Sequence, residues 1–169
     1  MVSARAGILP GLLLALGLAL TGSAHGGTSR GQPAQVTAVS DGDSIWVRVN
    51  GRSPPQRVRL RGIDAPEACQ PHGPAARDAL RSQVLGRTVL LHGRGSDDYG
   101  RLLRQVATDG QPDVNAWMVA QGHAWSYGGR GAGPYAAQQA RARAAGRGLW
   151  GRADAMEPRA FRKLHGRCR

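Results

Sequence analysis

The strongest constraint on the fold is a series of three short apolar segments between residues 35 and 63. Residues 36–39 form the first segment, residues 44–49 the second and residues 56–63 the third. Apolar and polar residues alternate along the second and third segments, which is the period of a half-buried strand. Asn50-Gly51 is a strong signal for a turn between two strands. The series therefore predicts three consecutive β-strands.

The rest of the sequence adds two further strands and about three helices. Strands are predicted over residues 87–93 and 100–110, and helices over residues 74–85, 113–122 and 134–148. Short strands followed by interleaved helices favour an α+β fold that is mainly β, a small antiparallel barrel with packed helices. The basic segment 153–169 is predicted to be a C-terminal tail with loose order.

Residues 1–24 have the pattern of a secretory signal peptide. Arg5 precedes an apolar run, and the small residues Gly22 and Ala24 follow it, so we expect cleavage after Ala24. The run is short for a transmembrane helix, although an uncleaved membrane anchor is the alternative. The prediction is therefore an exported protein, either periplasmic or secreted.

A strongly basic composition favours a polyanionic partner. The formal net charge is +12 at pH 7, and Lys163 is the only lysine. Arginine presents a planar fork that suits bidentate contacts with phosphate. Nucleic acid is therefore the expected partner. A genome rich in G and C is the alternative reason for an excess of arginine.

Cys69 and Cys168 are the only two cysteines in the chain. In an exported protein two cysteines suggest one disulfide, which here would join the C-terminal tail to the loop after Glu67. The sequence does not give the distance between the two thiols. Two cysteines are too few for a typical zinc site.

Three separated stretches carry the residues that phosphodiester hydrolysis requires: "DGDS" at 41–44, "RLRGIDAPE" at 59–67 and "DDYGR" at 97–101. Each stretch adjoins a predicted strand, where a rigid scaffold can hold functional groups. The reaction needs a hard cation bound by oxygens, a carboxylate that accepts a proton from water, and arginines that stabilise the transition state. The candidates for these tasks are Asp43, Asp64, Glu67, Arg59 and Arg101.

Five motifs resemble the staphylococcal nuclease family: "VSDGDSIWV", "VRLRGIDAPE", "DDYGR", "DVNAWMVAQGHAW" and "GRGLW". The resemblance spans about residues 35–151, and it implies a nuclease domain over residues 33–152. It also implies a five-stranded OB-fold Greek-key barrel with about three packed helices. Members of the family are calcium-dependent nucleases that cut DNA and RNA and leave 3′-phosphate ends.

The resemblance assigns a role to each matching residue. Asp43 and Asp64 match the calcium-binding aspartates, and Ala65 occupies the position whose backbone carbonyl also binds calcium. Glu67 matches the proposed general base. Arg59 and Arg101 match the two arginines that contact the phosphate and assist the leaving group.

Three tyrosines lie at or near the positions that bind the nucleotide in the family: Tyr99, Tyr127 and Tyr135. Asp98 departs from the family, since a basic residue is common before the Tyr-Gly-Arg sequence. This difference predicts weaker binding of a terminal phosphate.

Several interpretations remain open at the level of the sequence. Asp41 is interpreted as a turn residue that helps to place Asp43, rather than as a ligand. Asn115, at the start of a predicted helix, is expected to tie segments of backbone together. A non-catalytic OB-fold module that binds nucleic acid is the alternative to an enzyme, because such barrels commonly bind single strands. Nothing in the sequence requires more than a monomer.

Overall fold

The computed structural model describes residues 1–2, 31–49, 51, 54–129, 131–166 and 168. The expected signal peptide therefore lies outside the described residues, apart from its first two. Within the described part of the chain, no helix combines the length and the apolar character that a membrane span requires.

Seven strands and four α-helices follow one another along the described part of the chain. The strands are β1 (Gln32–Asp41), β2 (Ser44–Val49), β3 (Gln56–Leu60), β4 (Ile63–Asp64), β5 (Thr88–His92), β6 (Leu102–Ala107) and β7 (Trp125–Ser126). The helices are α1 (Gly73–Val84), α2 (Val114–Ala120), α3 (Ala136–Ala144) and α4 (Pro158–His165), with a 3₁₀ turn at Gly148–Gly151.

Five of the strands close into a barrel in the order β1-β2-β3-β6-β5, and β5 pairs with β1. The predicted α+β class and five-stranded OB-fold barrel are thereby confirmed. The expectation of an antiparallel barrel is wrong for one pair of strands, because β3 and β6 run parallel. Parallel neighbours need a long crossover, which β4, α1 and β5 provide here.

The apolar residues predicted to alternate along the strands form the barrel interior. Ile45, Val47 and Val58 are fully buried, and β5 and β6 add Val89 and Val106. Helices α1 and α2 contribute Ala76, Leu80, Val84, Val114, Met118 and Val119 to the same core.

Asn115 is a fully buried polar residue that links three segments of this fold. Its side-chain oxygen accepts a hydrogen bond from the Val106 amide at 3.0 Å. Its side-chain amide donates to the carbonyls of Arg61 at 2.9 Å and Arg104 at 3.1 Å. Asn115 therefore ties together the backbone of β6, of the turn after β3 and of α2.

The third strand is shorter than predicted because the chain turns sharply at Gly62. Gly62 has a φ of +78°, and a Cβ atom there would lie 2.6 Å from Cγ of Pro134. Glycine is suited to such a backbone conformation and to so close an approach. The kink separates β3 from β4, and β4 pairs with β7 in a second, two-stranded sheet.

The C-terminal segment differs from the expectation of loose order, because residues 158–165 form helix α4. Cys168, beyond this helix, forms a disulfide with Cys69 over a Cα–Cα distance of 5.6 Å. The basic tail is thus attached to the loop between β4 and α1.

Candidate active site

Asp43 is placed by the turn between β1 and β2. The Asp41 carboxylate accepts a hydrogen bond from the Asp43 amide at 3.1 Å, which is the turn role expected for Asp41. In the β2–β3 ladder Ser44 is opposite Arg59, and the Leu60 amide donates to the Asp43 carbonyl at 2.8 Å. Asp43 therefore lies beside the end of β3.

Arg59 joins the two predicted metal-binding aspartates. Its Nη1 lies 2.5 Å from Oδ2 of Asp43, and its Nη2 lies 2.8 Å from Oδ1 of Asp64. Nη1 also donates to the Ile63 carbonyl at 3.0 Å. The kink at Gly62 brings β4 back toward β3, so one guanidinium spans two carboxylates that are distant in sequence.

The two aspartates are held rigidly and are almost completely buried, with exposed fractions of 6% for Asp43 and 4% for Asp64. The Asp43 carboxylate accepts hydrogen bonds from the Ala65 amide at 2.9 Å and from the Ser44 hydroxyl at 3.0 Å. Backbone pairing with Trp125 fixes Asp64 in the small sheet. Ala65 is itself buried beside them.

Burial and the repulsion among Asp41, Asp43 and Asp64 make it unfavourable for all three carboxylates to be ionised together. Burial and the nearby Asp43 raise the pKa of Asp41 to about 7. Burial and Asp43 also raise the pKa of Asp64, although Arg59 and Arg162 act in the opposite sense. Burial acts to lower the pKa of Arg59, but the surrounding aspartates raise it above its ordinary value. An additional positive charge would stabilise the ionised carboxylates.

The donor set fits a hard divalent cation in its chemistry. Asp43 and Asp64 are buried carboxylates that converge on one cationic group, and the acidic residues Asp41 and Glu67 line the same cavity. Within the described residues, no group of three or more His, Cys, Asp or Glu side chains has the arrangement of a metal site. The predicted ligand set is smaller than that, since it consists of two carboxylates and the Ala65 carbonyl.

Arg101 is oriented by an aspartate that sequence reasoning did not single out. Its Nε lies 2.7 Å from Oδ2 of Asp97, and its amide donates to Oδ1 of Asp97 at 3.0 Å. Burial acts to raise the pKa of Asp97, but the hydrogen bonds from Arg101 and from the Tyr99 amide lower it below its usual value. A local signal existed, because Asp97 begins the "DDYGR" stretch and Asp favours such turns.

A cavity of about 390 Å³ collects the predicted metal-binding and catalytic residues. It is lined by Asp43, Asp64, Ala65, Glu67, Arg59 and Arg101, together with Asp41, Arg57, Pro66, Tyr99, Arg162 and Cys168. The structure thus brings together all six residues of the predicted catalytic centre, which come from three separated stretches of sequence.

A larger adjoining cavity of about 820 Å³ contains the three predicted nucleotide-binding tyrosines. Tyr99 and Tyr127 are exposed, and the guanidinium carbon of Arg101 lies 5.6 Å from the centre of the Tyr99 ring. Tyr135 is 9% exposed, and its hydroxyl lies 3.4 Å from the Asp113 carboxylate. Asp98 lines the same cavity, as does Arg61.

Arg162 is a second residue near the site that the sequence analysis does not identify, besides Asp97. Its Nη1 donates to Oε1 of Glu67 at 2.6 Å, and its Nη2 lies 3.2 Å from Oδ2 of Asp64. The residue belongs to helix α4, and it lines both cavities. The signal that could have found it is the pairing of Cys168 with Cys69, because this bond brings the tail close to Glu67.

Comparison with known proteins identifies one matching family and several relatives. Residues 57–152 match the family described as staphylococcal nuclease homologue. Protein ParB of Escherichia coli is 41% identical over 140 residues, which cover 76% of this chain and 78% of that protein. An uncharacterized endonuclease of Escherichia coli is 39% identical over 125 residues, which cover 73% and 80% of the two chains. An uncharacterized endonuclease of Haemophilus influenzae is 36% identical over 130 residues, or 76% and 72%.

Proposed function

The chain belongs to the staphylococcal nuclease family, and we propose that it is an exported, calcium-dependent nuclease that hydrolyses phosphodiester bonds in DNA and RNA. Relatives that are named endonucleases support the assignment of nuclease activity. The proposed products carry 3′-phosphate ends, and the proposed functional unit is a monomer.

One observation carries the proposal. A single cavity is lined by two buried aspartates, a glutamate and two arginines, which are the residue types that phosphodiester hydrolysis requires. A barrel that only bound nucleic acid would need basic and aromatic residues, but it would not need a glutamate beside buried aspartates.

Glu67 acts on the attacking water, and Arg59 and Arg101 act on the phosphate. Glu67, which lines the cavity, accepts a proton from the attacking water. Arg59 and Arg101 donate hydrogen bonds to the phosphate, whose negative charge increases in the transition state. Asp97 holds the Arg101 side chain in position for this contact.

Asp43, Asp64 and the backbone carbonyl of Ala65 would hold the calcium ion. When bound, calcium offsets the negative charge of the phosphate and activates water for attack. Arg59 bridges the two aspartates, so both carboxylates converge on one positive group, and calcium would replace the contacts that Arg59 makes with them.

Recognition of the nucleic-acid backbone rather than the bases would allow the protein to cleave both DNA and RNA. The arginines contact phosphate, which every nucleotide of DNA and RNA carries. The tyrosines of the larger cavity, Tyr99, Tyr127 and Tyr135, would contact the adjoining nucleotide. The Cys69–Cys168 disulfide supports export, because such bonds persist mainly in oxidising compartments.

The test is to incubate the purified chain, without residues 1–24, with plasmid DNA and with RNA in calcium or in EGTA. We expect degradation of both substrates in calcium and none in EGTA, and we expect Asp43→Ala to abolish it. Analysis of the product ends should detect 3′-phosphates. Tight binding of DNA without cleavage in any metal would contradict the proposal and favour a binding module.

A further inference from the structure

We propose that Arg162 is a positioning residue of the active site, which orients the Glu67 carboxylate, and that the Cys69–Cys168 disulfide holds Arg162 in place. The inference rests on the proposed nuclease function, because it concerns the residue to which that function assigns the proton transfer.

The contacts of Arg162 join two acidic residues on either side of Pro66. One guanidinium nitrogen donates to Glu67 at 2.6 Å, and the other lies 3.2 Å from Asp64. The Glu67 side chain is 23% exposed and the Arg162 side chain 32% exposed, so solvent screens this contact only in part. A planar fork that contacts two carboxylates restricts the orientation of both.

The segment that carries Arg162 is attached to the Glu67 loop at both ends. Met156 lies six residues before Arg162, and its carbonyl accepts a hydrogen bond from the Gln70 side chain at 2.7 Å. Cys168 lies six residues after Arg162 and is bonded to Cys69. Arg162 therefore lies on a segment that is fixed to the Glu67 loop at two anchor points, one on each side of it.

Gln70 connects these anchors directly to Glu67. Its side-chain oxygen accepts a hydrogen bond from the Glu67 backbone amide at 3.1 Å, and the Gln70 backbone amide donates to the Glu67 carbonyl at 2.9 Å. The Gln70 side chain is nearly buried, with an exposed fraction of 3%. The backbone of Glu67 is thus fixed by Gln70, while its carboxylate is oriented by Arg162.

These anchors favour a constitutive role over an inhibitory one. An inhibitory arginine would have to leave the carboxylates before the reaction, yet a disulfide and a hydrogen bond to a buried side chain retain this segment. A permanent guanidinium also reduces the repulsion that Asp64 and Glu67 would exert on an anionic phosphate. The geometry therefore assigns Arg162 to the working site.

The kinetic test compares wild type with Arg162→Ala, Arg162→Lys and the double variant Cys69→Ser/Cys168→Ser, in calcium on a defined DNA oligonucleotide. We expect Arg162→Ala and the cysteine variant each to lower kcat about tenfold, with KM changed less than twofold. Arg162→Lys should recover part of the loss, because lysine restores the charge without the fork. Arg159→Ala, an exposed arginine of the same helix, is the matched control and should keep the wild-type kcat.

Non-additivity separates positioning from general destabilisation. If the disulfide acts through Arg162, then its removal from Arg162→Ala should lower kcat no further, because the two changes affect one unit. A kcat for Arg162→Ala within twofold of wild type, or above it, would overturn the proposal. Fully additive losses of kcat would show that the disulfide does not act through Arg162.

Hydrogen exchange in EDTA gives a readout that does not depend on activity. Amides of Ala65 and of residues 67–70 should exchange at least fivefold faster in Arg162→Ala and in the cysteine variant than in Arg159→Ala. Unchanged exchange would contradict the positioning role. If wild type did not cleave nucleic acid, the nuclease assignment would fail, and the exchange measurement would still decide whether Arg162 and the disulfide order the Glu67 loop.

Discussion

Ser44 and Arg59 are opposite each other in the β2–β3 ladder. Because Asp43 directly precedes Ser44, this register brings its carboxylate to the Arg59 guanidinium. Strand register therefore decides the geometry of the candidate metal site. A slip of one residue would turn Arg59 to the other face of the barrel.

The contact between Asp97 and Arg101 predicts that Asp97 contributes to turnover without touching the phosphate. Asp97→Asn should lower kcat about tenfold, because the amide can no longer hold the guanidinium through a charged hydrogen bond. Arg101→Ala should lower kcat by about two orders of magnitude, since it removes the phosphate contact itself. Steady-state kinetics would measure both, with Asp109→Asn, a change of the same charge in an exposed turn, as the control. Equal kcat values for Asp97→Asn and wild type would contradict this role.

The hydrogen bonds of Asn115 predict that its substitution destabilises the fold, although the residue does not line the candidate active site. Asn115→Ala removes three hydrogen bonds and leaves buried backbone groups without partners, so the free energy of unfolding should fall by about 3 kcal/mol. Urea denaturation would measure this loss. Asn115→Asp keeps the acceptor for Val106 but loses the two donated bonds, and it should also be destabilising. A stability change below about 1 kcal/mol for Asn115→Ala would show that these bonds are not essential.

The pair His72 and His123 predicts a pH-dependent stability. The two rings stack and their nitrogens are 3.0 Å apart, while burial and His72 lower the pKa of His123 to about 4. Because the folded state favours neutral His123, its contribution is complete above about pH 6.5 and is lost as the pH falls toward 4.

Thermal unfolding in EDTA between pH 4 and 7 would measure this dependence. The raised pKa values of Asp41 and Asp64 favour the folded state as the pH falls, in wild type and variant alike, so the effect of His123 is measured as a difference: the slope of Tm against pH between pH 4 and 6.5 should be less positive in His123→Gln than in wild type. His92→Gln, which alters a histidine of β5 outside this pair, should retain the slope. An unchanged slope in His123→Gln would contradict the assignment.

Asp98 predicts a weaker attraction for the substrate. It lines the larger cavity beside Tyr99, where its charge opposes that of a bound phosphate. Asp98→Asn should tighten the binding of a short oligonucleotide with a terminal phosphate by about threefold at low salt, and less at high salt. Fluorescence anisotropy in EDTA would measure the affinity. An effect independent of salt would contradict an electrostatic cause.

The sequence predicts the barrel and most of the site for a physical reason. Alternating segments specify strands, and the turn residues around Asp43 and Asp64 act locally, so short-range patterns contain this information. Arg59 and Asp64 are only five residues apart, and their contact follows from the kink at Gly62.

The parts that the sequence does not predict depend on contacts between distant residues. The parallel pairing of β3 with β6 depends on a crossover through three elements. Arg162 contacts Glu67 across 95 positions, and only the folded chain shows that the Cys69–Cys168 bond places it there. The basic tail has no local pattern that distinguishes Arg162 from its neighbours.

The central claim is that the carboxylates and arginines of this cavity hydrolyse phosphodiesters. The most direct test is the single-turnover rate of DNA cleavage in calcium by wild type and by Glu67→Gln, with enzyme in excess over a labelled oligonucleotide. Glutamine preserves the shape of the side chain but cannot accept the proton, so we predict a rate at least a hundredfold lower with unchanged oligonucleotide affinity. A cleavage rate within threefold of wild type would contradict the account.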